Sequence, residues 1–206
     1  MKKIQIGVMS FVLSMGLIVG AMAQNPGYKI GDKAADFKLK SVDGSWVSLP
    51  NNAKGAIVIF TCNTCPYVVA YEDRMIDLHK KYAAKGYPVI AINSNDDKVS
   101  PGDSFEKMKD RSKSKKFPYA YAYDKSQEVI KKYGASRTPH VYLLHKEGND
   151  FMVKYIGAID NNYQDPTGVT EKYVEEALDD LMNGRKVAVE STKAIGCSIK
   201  WTKNAQ

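Results

Sequence analysis

The chain has 206 residues, 44% hydrophobic and 26% charged, which is ordinary for one globular domain with extensions. Its formal net charge is +7, and the lysines are spread widely apart from one cluster at residues 109–116. No interleaved aromatic residues or nucleic-acid motif accompany this cluster, so we interpret it as a solvated helix face or loop. Composition and charge therefore give no support for nucleic-acid binding.

The first 23 residues have the features of a targeting segment. Lys2 and Lys3 form a basic start, residues 6–19 are largely apolar, and residues 21–23 are Ala-Met-Ala. This ending is typical of a cleaved signal peptide, and an uncleaved membrane anchor is the alternative. We predict an exported protein, periplasmic or secreted, with no stable membrane insertion after cleavage. Such a compartment permits disulfides.

The next elements are predicted in chain order from apolar spacing and turn residues. Residues 36–40 alternate and suggest a short strand, and the Asp-Gly pair at 43–44 is a hairpin signal. Residues 56–60 form a continuous apolar run, which indicates a buried central strand. This run leads directly into the cysteine-containing segment discussed below.

A helix is predicted over residues 66–84, because proline suits a first helical turn and the apolar spacing is helical. Val69, Met75 or Ile76, Leu78 and Tyr82 can share one of its faces. The remaining elements are strands at 89–92, 119–123, 141–144 and 150–156 and helices at 103–112, 126–133 and 169–182. Asp103 or Ser104 is expected to cap the helix that begins there.

These elements alternate between strand and helix and end with a hairpin and a last helix. Alternation implies right-handed crossovers and a parallel core, and the hairpin adds antiparallel strands at one side. The predicted fold class is α/β, a central mixed β-sheet flanked by helices, with an N-terminal β extension and a C-terminal tail. We place the domain at residues 24–184 and a tail that docks on it at residues 185–206.

Two of the three cysteines lie where the central strand meets the first helix. Cys62 and Cys65 are separated by two residues, and Cys65 directly precedes Pro66. A helix N-terminus offers unpaired N–H groups and a partial positive charge, which stabilise the thiolate that attacks a disulfide. A structural disulfide across so short a loop constrains little, and a zinc site would need two further ligands. Cys197 and His140 could supply them in principle, but nothing in the spacing points to such a site. The pair therefore favours redox chemistry.

Four segments carry a resemblance to a known family. They are residues 60–67 (Phe-Thr-Cys-Asn-Thr-Cys-Pro-Tyr), 71–74 (Tyr-Glu-Asp-Arg), 91–96 (Ala-Ile-Asn-Ser-Asn-Asp) and 196–201 (Gly-Cys-Ser-Ile-Lys-Trp). Together with the Thr-Pro pair before the hairpin, they resemble the thioredoxin superfamily. Within it, the chain is similar to the redoxin branch (AhpC/TSA, TlpA-like) and a bacterial peroxiredoxin-like group. The resemblance covers residues 28–201 and implies a thioredoxin fold with thiol–disulfide exchange.

The resemblance implies roles for four residues. Cys62 matches the attacking thiol at the exposed helix start, and Cys65 matches the resolving thiol that closes the disulfide and releases product. Pro139 matches the cis-proline that faces the disulfide in the family. A cis bond there would place the backbone of Thr138 beside the sulfurs, where it can pair with a substrate peptide.

Three features depart from the family pattern. Thr61 stands where many thioredoxins have tryptophan, and Ala56 stands where thioredoxin has a buried acid that assists proton transfer. Asn63 and Thr64, between the cysteines, carry no charge. The direction of electron transfer and the proton acceptor therefore stay open.

A thiol-dependent peroxidase is the main alternative to disulfide exchange. The peroxiredoxin pattern Pro-x-x-x-Thr-x-x-Cys fails at both cysteines, because Thr61 and the prolines have the wrong spacing. Arg137 could still bring a cation to the thiolate, or it could be an exposed loop residue. His140 could relay a proton or be an ordinary strand histidine. A copper chaperone of this fold would want Cys-x-x-x-Cys, which disfavours a copper- or zinc-binding function.

Cys197 leaves an odd number of cysteines. It could be a buried apolar side chain, a third redox thiol that exchanges with the Cys62–Cys65 pair, or an intermolecular partner. We predict no bound cofactor and no metal. The expected partners are protein or small-molecule disulfide or thiol substrates and a redox protein that exchanges electrons with the pair.

Overall fold

The alternation of strands and helices follows the apolar spacing of the sequence. The structure is a computed structural model and describes residues 27–203. Its strands are β1 (Leu39–Ser41), β2 (Trp46–Val47), β3 (Gly55–Thr61), β4 (Val89–Asn93), β5 (Ala120–Tyr123), β6 (Arg137–Thr138), β7 (His140–Glu147), β8 (Asp150–Gly157) and β9 (Cys197–Ser198). Its helices are α1 (Pro66–Tyr82), α2 (Phe105–Lys115), α3 (Glu128–Tyr133) and α4 (Tyr173–Met182).

The predicted signal peptide, residues 1–23, lies outside the described residues. Within residues 27–203, every helix is too short or too polar to cross a membrane.

A seven-stranded mixed sheet runs through the domain in the order β2-β1-β5-β4-β3-β7-β8. The three strands β3, β4 and β5 are parallel, whereas β7 pairs antiparallel with β3 and β1 pairs antiparallel with β5. The hairpins β1–β2 and β7–β8 therefore form the two edges. This confirms the predicted α/β class, including the N-terminal β extension and the antiparallel hairpin.

The hydrophobic core lies on both faces of this sheet. Ile57 and Ile59 of β3 belong to a cluster that includes residues of α1 and α4, whereas Val58 and Phe60 belong to a cluster that includes α3. Successive strand side chains point to opposite faces, so a strand covered on both sides needs a continuous apolar run. All seven residues of β3 are buried, which holds the chain firmly at the point where Cys62 follows.

Helix α1 begins where the sequence predicts, but its buried face is different. Pro66 occupies its first turn and the helix ends at Tyr82, before a 3-10 turn over Ala83–Lys85. Val69 is 42% exposed, whereas its neighbour Val68 is buried together with the rest of the inward stripe. With 3.6 residues per turn, one position along the chain rotates a side chain by about 100°. The stripe therefore begins at Val68.

The last helix is shorter than predicted, because it begins at Tyr173 and not at residue 169. The side-chain oxygen of Asn161 accepts hydrogen bonds from the amides of Thr170 and Glu171, at 3.1 and 3.3 Å. These bonds hold residues 170–171 against the preceding loop, so the helical turn starts only after them.

The C-terminal tail returns to the domain through strand β9. This strand pairs antiparallel with β6, and Thr138 lies opposite Cys197. Ile199 is buried in the core, and the amide of Lys200 donates to the side chain of Asn95 at 2.9 Å. The tail therefore contacts the domain close to the cysteine pair.

Candidate active site

The cysteine pair lies at the junction of β3 and α1. Cys62 follows the strand and Cys65 is the N-cap residue of the helix. Both are free thiols, but they are only 3% and 2% exposed, in contrast to the exposed attacking thiol that the family resemblance implies. Tyr67 and Cys197 pack against the pair, which accounts for its burial.

Thr138 touches both sulfurs of the pair. Its hydroxyl oxygen lies 3.5 Å from the Cys62 sulfur, and its carbonyl oxygen accepts a hydrogen bond from the Cys65 thiol at 3.2 Å. The peptide bond between Thr138 and Pro139 is cis. The structure thus brings together four of the residues selected from the sequence.

Contact between the two thiols moves their pKa values apart. A hydrogen bond from Cys62 is the largest cause that lowers the pKa of Cys65, to about 4, and a contact with Cys197 lowers it further while burial opposes both. The pKa of Cys62 is raised, first by the same hydrogen bond, then by burial and by the negative charge of Asp103. The pair therefore carries one negative charge easily and a second only with difficulty.

The pKa values place that single charge on Cys65, whereas the contacts with Thr138 favour a charge on Cys62. Its carbonyl oxygen can only accept, so it stabilises the protonated thiol of Cys65. Its hydroxyl can donate to a Cys62 thiolate, and this contact lowers the pKa of Cys62. The arrangement can thus hold the charge on either sulfur, with the proton moving across one contact between them.

A buried carboxylate, that of Asp103, holds the loop between the cysteines. One oxygen accepts the backbone amides of Asn63 and Thr64 at 2.7 and 3.0 Å. The other accepts the hydroxyls of Thr64 and Ser100 at 3.0 and 2.7 Å and the amide of Asn95 at 2.8 Å. With donors on both oxygens, this carboxylate anchors the loop.

This role of Asp103 is absent from the sequence interpretation, which offered Asp103 or Ser104 as the cap of a helix. Ser104 is the N-cap of α2, and its hydroxyl accepts the amide of Lys107. Asp103 instead turns inward to a loop 39 and 40 residues away in the chain. Local spacing contains no signal for such a contact.

Aromatic side chains form one wall of the site. The ring of Tyr67 lies against that of Tyr163, with centroids 4.3 Å apart. Arg74 fixes the loop that carries Tyr163, because it donates to the Asp160 carboxylate and to the Tyr163 carbonyl, each at 2.6 Å. Asp160 is only 5% exposed, so this ion pair is largely shielded from water.

The two other candidate residues near Pro139 have different surroundings. Arg137 is exposed and pairs through its backbone with Ser198. His140 is buried, its ring lies against Tyr142, and its Nδ1 accepts the amide of Ser136 at 3.4 Å. Burial lowers the pKa of His140 to about 4, so it is neutral at pH 7.

Cys197 is the third thiol at this site. It is half-buried and packs against Cys62 and Cys65. Its pKa is raised to about 11, first by burial and then by its hydrogen bond to Cys65. Over residues 27–203, the structure contains no group of three or more His, Cys, Asp or Glu side chains that could hold a metal ion.

The parallel core, the edge hairpin and the cysteine pair beside Thr138 define a protein of the thioredoxin fold. The sequence profile of the AhpC/TSA family matches residues 30–153, more than half of the chain. The chain belongs to the AhpC/TSA family, which confirms the predicted redoxin branch of the superfamily.

Individual relatives support the same placement. The chain is 28% identical over 145 residues to the thiol-disulfide oxidoreductase ResA of Bacillus cereus, which covers 68% of this chain and 78% of ResA. It is similar to an uncharacterized conserved protein from Geobacillus kaustophilus, with 36% identity, a TM-score of 0.78, and coverage of 86% of this chain and 94% of that one. A hypothetical protein from Sinorhizobium meliloti has 31% identity, a TM-score of 0.78, and coverage of 86% and 97%.

Proposed function

We propose that this protein is an exported thiol–disulfide oxidoreductase that uses Cys62 and Cys65 as a dithiol–disulfide pair. The observation that carries the proposal is the contact of Thr138 with both sulfurs, at the N-terminus of α1. The similarity to ResA proteins, named as thiol-disulfide oxidoreductases, supports the same chemistry. Export is supported by the signal-peptide pattern of residues 1–23.

In the reducing direction, a Cys62 thiolate attacks the disulfide of a substrate. The substrate S–S bond breaks, one substrate sulfur leaves as a thiolate, and the other forms a mixed disulfide with Cys62. Cys65 then loses its proton and attacks Cys62, which releases the second substrate thiol and closes the Cys62–Cys65 disulfide. Two electrons pass to the substrate, and a redox partner protein returns them to the pair.

Thr138 gives this order of attack a physical basis. Its hydroxyl can stabilise the thiolate of Cys62, while its carbonyl holds the proton of Cys65 until the mixed disulfide has formed. The substrates that this site suits are protein or small-molecule disulfides, or their thiols when the pair runs in the oxidising direction.

Insulin reduction with dithiothreitol tests the proposal. We expect Cys62→Ser and Cys65→Ser to lose the activity, and Cys65→Ser to accumulate a mixed disulfide on Cys62. Ser112→Ala, on helix α2, is the matched control and should keep full activity. Full activity of Cys62→Ser would contradict the proposal. Consumption of hydrogen peroxide far faster than by free thiol, with sulfenic acid on one cysteine, would favour the peroxidase alternative instead.

Export is tested separately by cell fractionation and intact-mass measurement. We expect the protein outside the cytoplasm and without residues 1–23. A cytoplasmic protein that retains this segment would refute export without touching the redox chemistry.

A further inference from the structure

The short strand β6 is covered on one edge by the chain's own tail. Thr138 lies opposite Cys197, and Arg137 lies opposite Ser198. An extended peptide can pair with the backbone at a free strand edge, and the edge at Thr138 lies directly beside the two sulfurs. Strand β9 therefore occupies the position that a substrate strand would take.

The pairing also directs Cys197 towards the redox pair. Residues directly opposite each other in an antiparallel pair carry their side chains on the same face, with Cβ atoms about 4.5–5.5 Å apart. The hydroxyl of Thr138 lies 3.5 Å from the Cys62 sulfur, so this face is the one that meets the cysteines. In agreement, Cys197 packs against Cys62 and Cys65.

The fit of the tail is close on both sides of Cys197. A Cβ atom at Gly196 would lie 2.0 Å from the Thr138 carbonyl oxygen, so only glycine allows this approach. On the other side, Ile199 is buried, and the side-chain amide of Gln127 donates to the Lys200 carbonyl at 2.9 Å. The tail strand is therefore held against the domain on both sides of Cys197, and this packing positions the cysteine.

We propose that the tail is a tethered substrate strand and that Cys197 is a third redox thiol, which exchanges with the Cys62–Cys65 disulfide. The inference rests on the proposed function. The Cys197 thiolate attacks Cys65, the Cys62–Cys65 bond breaks, and its electron pair leaves with Cys62, which takes up the proton that Cys197 has lost. One disulfide is exchanged for another, so no external oxidant or reductant is consumed.

The exchange has a consequence for substrate choice. A peptide must displace β9 before it can pair with Thr138, whereas a small disulfide does not need this edge. The docked tail therefore disfavours protein substrates relative to small ones.

Disulfide mapping in the Cys62→Ser variant tests the exchange partner directly. After mild oxidation with diamide at a protein concentration of about 1 μM, we expect an intramolecular Cys65–Cys197 disulfide. A tethered thiol has an effective concentration of order millimolar, so this bond should exceed intermolecular ones by about a thousandfold. Free Cys65 and Cys197 thiols, or only intermolecular disulfides, would overturn the inference.

Displacing the tail without removing its thiol provides the second test. In the Cys62→Ser background, Gly196→Val should reduce the Cys65–Cys197 disulfide by at least about tenfold, because the docked effective concentration is lost. Ser198→Ala, which changes an exposed side chain beside it, should not. Circular dichroism establishes that the variant is folded, and Gly196→Ala replaces it if valine prevents folding. An unchanged disulfide yield would overturn the proposed geometry.

Activity measurements separate this inference from the proposed function. With Cys62 and Cys65 intact, Gly196→Val should raise the rate of insulin reduction relative to that of oxidised glutathione, while Ser198→Ala should leave the ratio unchanged. An unchanged ratio for Gly196→Val would refute the tethered strand but leave the oxidoreductase intact. Full activity of Cys62→Ser would refute the proposed function itself.

Discussion

Replacing Cys62 by alanine should raise the pKa of the Cys65 thiol. That pKa is lowered to about 4, and the hydrogen bond from Cys62 is the largest cause. A hydrogen bond to a charged group contributes about 1.5–3 kcal/mol, and one pKa unit corresponds to about 1.4 kcal/mol. Loss of the donor destabilises the thiolate, so the pKa should rise by about 1 to 2 units. Cys62→Ser keeps a donor at the same place and should change the pKa far less.

The comparison is made in a Cys197→Ser background, so that Cys65 is the only thiol. Ultraviolet absorbance of the thiolate, or the rate of alkylation by iodoacetamide, is followed against pH. The alanine variant should titrate at higher pH than the serine variant, because the Thr138 carbonyl then holds the Cys65 proton unopposed. If the two variants titrate together, contact with Cys62 is not what stabilises the thiolate, and the reasoning is refuted.

Three further predictions concern the framework of the site. Asp103→Ala removes the anchor of the loop between the cysteines and should lower the free energy of unfolding in urea by at least about 2 kcal/mol. The control Asp110→Ala, on the exposed side of α2, should not lower it, and equal losses would contradict the anchoring role. The pKa of His140 is lowered from 6.5 to about 4, so this residue is protonated more readily in the unfolded chain and the free energy of unfolding should fall by up to about 3 kcal/mol from pH 6.5 to pH 4. Denaturation measured against pH should show no such decrease for His140→Gln, and an unchanged profile would exclude His140 as its source. Arg111→Ala removes the bidentate partner of buried Glu72 and leaves it only Lys115, at 3.4 Å. The change should cost about 2 kcal/mol in thermal unfolding, and a loss below about 1 kcal/mol would contradict a stabilising role of the Arg111 contact.

The central elements are predictable because their signals are local and dense. Residues 56–60 have no polar interruption, and a strand covered on both faces needs such a run. Pro66 marks the first turn of α1 because its missing N–H costs nothing there. The prediction that Val69 lies on the buried face of α1 is wrong, because two adjacent valines fit a helical stripe almost equally well and only packing selects Val68.

The surroundings of the cysteines are less predictable because they depend on contacts between distant segments. Asp103 reaches the loop at Asn63 from another element, and the tail pairs Cys197 with Thr138, which lies 59 positions earlier in the chain. Neither contact leaves a periodic pattern, since each involves one or two residues. The family resemblance supplied Thr138 and Pro139 as neighbours of the pair, but not what covers them.

The proton balance of the site follows from these distant contacts. Ala56 stands where thioredoxin has its buried acid, and Asp103, the buried acid beside this loop, already accepts donors on both oxygens. The thiols contact one another and Thr138 instead, and Cys65 is central among them because it contacts both Cys62 and Cys197. Charge on the pair is thus set by sulfur–sulfur contacts and by Thr138, which is why substitutions at Cys62 and at the tail should shift the same thiolate.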